Sequence, residues 1–284
     1  MNHIMALLDA SVYAQSVTEL SAWAAKRLAL PVDLVHVLPP HGKQSNHSDF
    51  SGSLNLGARS ALLKELAELD ERKAKLEMDC AWAIVDDAKA WMSEQGVAEV
   101  HNKLRHGGLV DTVQALEPEA EFIIIGKRGD AADFAKLHLG SNLERVVRAA
   151  QKPVLVAARA FKPIESFLIA YDGGDSANKA VSYVCDSPLF KGLTCHLVTV
   201  GQPNASVQAQ WEQAQEQLKT AGFDVHAEVR EGNPDQAIRE KIEAANIDLL
   251  LMGAYGHTRI RNLIIGSTTT EMVRSCGVPV MLFR

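Results

Sequence analysis

No stretch of this chain is apolar for long enough to cross a bilayer, because none reaches the roughly 18 uninterrupted residues that a helical span needs. At the amino terminus Asp9 interrupts the first apolar segment and no basic region precedes it, so the pattern of an export signal is missing as well. Cysteine is scarce. Cys80, Cys185, Cys195 and Cys276 lie in helix- or strand-like segments without C-x-x-C spacing, which argues against a disulfide framework and fits small buried side chains in a reducing cytosol. A cytoplasmic location is therefore expected. Basic excess is lacking too: 29 Lys and Arg against 35 Asp and Glu leave a net charge of -6, with no footprint for nucleic acid or an anionic membrane. There is no Gly-x4-Gly-Lys-Ser/Thr, and no Gly-x-Gly-x2-Gly follows the first strand, so neither a Walker-type NTPase nor a dinucleotide-binding motif is supported. The 10 histidines are scattered, without His-x3-His or a cysteine partner at ligand spacing.

What the chain does have is enough apolar material for two cores, 47% hydrophobic and 23% charged over 284 residues. Short continuous apolar runs alternate with helical segments, the pattern of a parallel α/β sheet buried on both faces. In the second half strands are expected near 166–171, 194–200, 224–230, 247–252 and 279–283, and helices near 175–187, 205–221, 234–245 and 266–275. The first half repeats this order. Its opening strands match those of the second half at an offset of 163, whereas later segments match at about 126, leaving roughly 37 extra residues between its second and third strands. A repeat on this scale means two similar domains, placed at 1–160 and 161–284, each a five-stranded parallel sheet of doubly wound type; if the strand order is 3-2-1-4-5, the ends of the first and fourth strands are neighbours. The expectation is two tandem sheets with helices on both faces.

The extra residues begin with a polar segment at 41–57 that reads as a loop, while 58–94 is rich in helix formers and carries Leu62, Leu66, Leu69, Leu76, Trp82, Val85 and Trp91. One long helix or two short ones would satisfy this pattern. The inserted part, about 41–78, is read as a solvated helix face with the alternative of a partner-binding extension.

Chemistry concentrates near the carboxyl terminus. A buried-type strand runs into Gly253 and Gly256, crosses nine residues, and reaches Gly266, Ser267 and Thr268 at the start of a helix. Glycines let backbone approach a ligand, and a helix start presents amides and hydroxyls suited to phosphate. In a doubly wound sheet, ligands bind beyond the carboxyl ends of the strands at the switch point, where Asp172 after the first strand and Gly253 after the fourth would be neighbours. The first half echoes this with Gly126, Gly129, Gly140, Ser141 and Asn142, but its gap is ten residues and contains Asp130 and Asp133. Two carboxylates there would repel a triphosphate unless Lys127 or Lys136 offsets them.

With these residues in place the whole chain resembles a tandem universal stress protein, of adenine-nucleotide alpha hydrolase-like fold, and Gly-x2-Gly-x9-Gly-Ser/Thr resembles that family's ATP-binding signature. The resemblance implies ATP as ligand, with AMP or ADP as alternatives and Mg or Mn on the phosphates. It implies that Asp172 accepts hydrogen bonds from the adenine or ribose end and that the backbone at Val200 faces the adenine. Gly253 and Gly256 would admit ribose and phosphates, and Gly266, Ser267 and Thr268 would hold the phosphates. Asp9, Val37, Gly126, Gly129, Gly140 and Ser141 would form a degenerate first site, so ATP is expected in the second half and little or none in the first. The resemblance also implies an internal pseudo-dimer through the fifth strands, and leaves a homodimer open.

No catalytic residue is assigned. Hydrolysis needs a positioned base, and Asp172 is expected at the nucleoside end, while His257, Arg259 and Arg261 could touch phosphate without doing chemistry. A nucleotide-binding stress regulator or sensor is the preferred reading. A slow metal-dependent ATPase and a ligand- or partner-binding stress protein acting through the inserted helix are the alternatives.

Overall fold

The computed structural model describes residues 2–39, 56–129, 140–202, 205–254 and 266–284. In the first half the order is β1 (His3–Leu7), α1 (Ala14–Leu28), β2 (Val32–Leu38), α2 (Leu56–Glu94), β3 (Val100–His106), α3 (Leu109–Leu116), β4 (Ala120–Gly126), α4 (Ser141–Ala149) and β5 (Val154–Ala157). The second half runs β6 (Ser166–Ala170), α5 (Asp175–Asp186), β7 (Thr194–Val200), α6 (Ala205–Thr220), β8 (Val225–Arg230), α7 (Pro234–Ala244), β9 (Leu249–Gly253), α8 (Ser267–Ser275) and β10 (Val280–Phe283). These elements fall where the apolar runs and helical segments of the second half placed them. Both halves keep the expected internal strand order, first strand beside second and fourth.

The expectation of two sheets is corrected. All strands among the described residues belong to one ten-stranded sheet of order β3-β2-β1-β4-β5-β10-β9-β6-β7-β8. The join is β5 against β10, antiparallel, with Leu155 opposite Met281 and Val156 opposite Val280. Both strands are buried at every residue. Each would otherwise offer a row of unpaired amides and apolar side chains, and pairing removes both edges at once.

Side-chain alternation along this sheet makes two cores. Ile4, Ala6, Phe122, Ile124, Leu155, Met281, Leu251 and Phe167 face one side, covered by α1, α2, α5 and α6. Met5, Ile123, Val154, Val156, Val280, Leu282, Leu250 and Leu168 face the other, covered by α3, α4, α7 and α8. Each core crosses the β5–β10 join, so the halves share their interior.

Cations tie the join from both sides. Lys127 Nζ donates to the carbonyl of Cys276, just past α8. Arg284 Nη1 donates to the carbonyls of Arg148 at 3.0 Å and Ala150 at 3.4 Å, at the end of α4. Each half thus places a positive charge where a helix of the other ends in unpaired carbonyls. Lys127 is buried, and burial pushes its amine below the ordinary lysine pKa. Its amine is held by this contact with the other half. Lys136, Asp130 and Asp133 lie outside the described residues.

Residues 56–94 form one helix rather than two, 39 residues against the 16 of its counterpart α6, a difference of 23. Ala81, Val85, Ala88 and Met92 pack its carboxyl-terminal part on the sheet. The extra length therefore extends the crossover helix backward. Of the polar loop expected at 41–57, residues 41–55 lie outside the described residues and 56–57 are already helical.

Candidate functional site

Beyond the carboxyl ends of β6 and β9 lies the switch point of the second half, the crevice position of a doubly wound sheet. These strands are adjacent, with Ala170 opposite Met252, so Asp172 and Gly253 emerge side by side as the strand order requires. From there α5 crosses one face of the sheet and α8 the other. Val200 ends β7 on the far side of β6. Gly266 is the N-cap of α8, followed by exposed Ser267 and half-buried Thr268. Gly256, His257, Arg259 and Arg261 lie outside the described residues.

Several contacts fix this crevice. Asp172 is exposed, and its Oδ1 accepts the amide of Gly174 at 2.9 Å, which orients the carboxylate on its own turn. Between them Gly173 takes φ +76°, and a Cβ there would stand 3.0 Å from Gln210 Oε1 and 3.2 Å from Val207, so only glycine lets the turn pass under α6. The amide of Gly266 donates to the carbonyl of Ala254 at 3.2 Å, closing the glycine loop, and Thr269 Oγ1 donates to the carbonyl of Gly253 at 3.0 Å. Thr269 is buried. With a glycine as N-cap, no side chain caps the first turn of α8, so its amide end can serve an anion. Below Asp172, Tyr171 is buried and hydrogen-bonds Asn178 Oδ1 at 2.5 Å; burial and the neighbouring Asp172 push its phenol up to about 12. Thr199 Oγ1 donates to the Tyr171 carbonyl at 3.0 Å, bracing β7 against the turn.

The first half builds the same frame and fills it differently. Asp9 Oδ1 accepts the amide of Ser11 at 3.0 Å, and the amide of Gly140 donates to the Lys127 carbonyl at 3.3 Å, the counterpart of the Gly266 closure. Gly129 comes so near Asp9 that a Cβ would stand 3.1 Å from Oδ2. Val37 lies half-buried near the end of β2, and Ser141 opens α4 exposed. Against Gly126 packs buried Tyr13, where a Cβ on the glycine would stand 2.6 Å from the tyrosine Cβ. At the offset of 163 the matching residue is Ser176, which is far smaller. The counterpart of Thr269, at the offset of 126, is Leu143, so that tether to the loop is missing. His36 replaces Thr199 and hydrogen-bonds the backbone of Leu8 with Asp9 nearby.

The universal stress protein family model matches residues 1–158 and again 163–284. This chain belongs to the universal stress protein family. The universal stress protein Slr1230 of Synechocystis sp. is 38% identical over 287 residues, covering 100% of both chains. A universal stress protein structure from Archaeoglobus fulgidus, 22% identical, covers 100% of this chain and 98% of its own with a TM-score of 0.69. One from Pseudomonas aeruginosa, described as a putative universal stress protein and 17% identical, covers 100% and 93% with a TM-score of 0.63. Both structures share the fold. No helix among the described residues is long and apolar enough to cross a membrane.

For this universal stress protein, Asp172 and Gly253 stand at adjacent strand ends as expected, Gly256 lies outside the described residues, and Tyr13, Gly173, Thr199 and Thr269 were not singled out from the sequence. Aligning the two halves residue by residue offers a signal for Tyr13 and Thr269, since each meets an unlike partner. The paired histidines also predict a pH response. Burial lowers the pKa of His36, and burial, with Lys241 and His226 adding to it, lowers that of His196, which stacks on His226 at 5.0 Å. Below the ordinary value of 6.5 the unfolded chain takes up protons that these residues refuse when folded, so stability is full above that pH and falls as pH drops through the window beneath it. A His36→Gln, His196→Gln variant should lose less Tm than the parent between pH 7 and pH 5. Parallel Tm profiles would refute the assignment.

Proposed function

We propose that the second half binds ATP and that the protein acts as a nucleotide-binding stress regulator rather than as an enzyme. The observation that carries this reading is the convergence of Asp172 and the amide end of α8 on one crevice, behind a loop closed by Gly266 and tethered by Thr269. In this reading Asp172 meets the ribose or adenine, the backbone at Val200 lies along the adenine, Gly253 and Gly256 leave room for ribose and phosphates, and Gly266, Ser267 and Thr268 take the phosphates. Backbone amides at a helix start suit a polyanion without a cluster of lysines. A divalent cation such as Mg or Mn, when bound, would neutralise charge on the phosphates.

The first half, 1–160, is proposed to bind nucleotide weakly or not at all. Tyr13 against Gly126, Asp9 against Gly129 and the diversion of Lys127 to Cys276 support that reading. The second unit is placed at 161–284.

Calorimetry with ATP and magnesium on the purified chain tests both parts. One site per chain, a rise in Tm with ATP, and adenine nucleotide identified by mass spectrometry in the denatured protein are expected. Two equal sites would sink the asymmetry. No heat, no Tm shift and no released nucleotide would sink ATP binding, and sustained phosphate release would replace the regulatory reading with a slow ATPase.

A further inference from the structure

Lys127 belongs to the first glycine loop and acts on the second half. Its backbone carbonyl accepts the Gly140 amide at 3.3 Å and so closes the first loop, while its Nζ donates to the carbonyl of Cys276. Cys276 is the C-cap of α8, the helix whose opposite end, at Gly266, borders the second crevice. Gly126 matches Gly253 in the repeat, so the counterpart of Lys127 is Ala254. The carbonyl of Ala254 closes its own loop on the Gly266 amide at 3.2 Å, but a methyl side chain can donate to no helix end. Of the two loops, the first alone carries a cation at this position.

Burial gives that cation reach beyond its hydrogen bond. Lys127 is 8% exposed, so water screens its charge far less than it would on the surface. A helix carries about half a positive charge at its amino end and half a negative charge at its carboxyl end. An ammonium at the carboxyl end of α8 offsets the negative pole, and the positive pole at Gly266 is then less opposed. α8 is nine residues long, about 13 Å, which sets a phosphate at its start roughly 15 Å from the Lys127 amine. At an effective dielectric near 20, one charge at that distance changes affinity by about sixfold before screening. Arg128 lies near Lys127, and Arg239 and Glu243 lie near Cys276. These neighbours stay the same when residue 127 is changed, so a substitution there isolates its own share.

We propose that Lys127 of the first half is a positioning residue for the second-half site, its buried ammonium strengthening the anion-binding end of α8 from the far end of the helix. The proposal rests on the reading of that site as a nucleotide site, and it gives the first half a task that needs no nucleotide of its own. Calorimetry with ATP, AMP and adenosine on the full chain tests it. Lys127→Met should lower ATP affinity roughly fivefold, AMP affinity less, and adenosine affinity not at all, because the effect scales with phosphate charge. Lys127→Gln, which keeps a donor for the Cys276 carbonyl without the charge, should lose as much, and it covers the case in which Lys127→Met does not fold. A structural defect would instead weaken all three ligands alike. Parent-like ATP affinity in the variants, or equal losses for ATP and adenosine, would overturn the proposal while leaving the site in place. A parent that binds none of the three would overturn it together with the reading on which it rests.

Discussion

Ser267→Asp is expected to lower ATP affinity by roughly two to three orders of magnitude while leaving the fold at least as stable. Ser267 is the first residue of α8, it is exposed, and no acidic residue occupies that first turn. A carboxylate at a helix start is favourable by about 0.3–1 kcal/mol, so folding gains slightly. The same charge about 4 Å from a phosphate costs ~4 kcal/mol at an effective dielectric near 20, close to three decades in Kd, with solvent screening trimming the figure. Binding and stability therefore move in opposite directions, which separates a lost site from a damaged fold. Calorimetry and thermal unfolding of the same sample read both. The matching change in the first half, Ser141→Asp, is expected to alter neither quantity by much, since that crevice is assigned little nucleotide. ATP bound undiminished by Ser267→Asp would move the phosphates away from α8.

The second large effect concerns the join between the halves. Leu155 and Met281 are fully buried and face each other across the antiparallel β5–β10 pair. Truncating either to alanine removes core volume that rigid neighbours cannot refill, a cost of about 2–5 kcal/mol each. Because they touch the same space, the double variant should depart from additivity by about 0.5–3 kcal/mol. Since both cores run across the join, denaturant should unfold the whole chain in one transition, with each single variant shifting all of it. Two separate transitions, with Leu155→Ala moving only one, would mean that the halves fold as independent units.

Much of this molecule is legible in its residues, for identifiable reasons. Strands such as Leu249–Gly253 and Val154–Ala157 are continuous apolar runs because both faces of a parallel sheet are covered, and that pattern survives without any structure. Asp172 and Gly253 could be placed side by side because strand order in a doubly wound sheet fixes which ends are neighbours. Glycine spacing could be compared between halves because the repeat supplied its own reference. Long-range contacts left no such trace. Lys127 looked like a candidate partner for the carboxylates of its own loop, yet it reaches Cys276, 149 residues away. Nothing local in a lysine tells which helix end it will cap. Tyr13 reads as one more apolar residue near a helix start until Gly126 is seen beneath it. The 56–94 segment allowed one helix or two, because helix propensity sets composition and not continuity.

The sequence by itself determined the duplicated α/β plan and the succession of strands and helices, since periodicity and spacing are local or repeated quantities. Only the tertiary structure decided that the strands of both halves form one sheet, that cations cross the join to helix ends of the other half, and that Tyr13 packs against Gly126 while Thr269 bonds Gly253. Those outcomes depend on which distant side chains share a space, and burial and edge pairing choose among them only once the whole chain has packed.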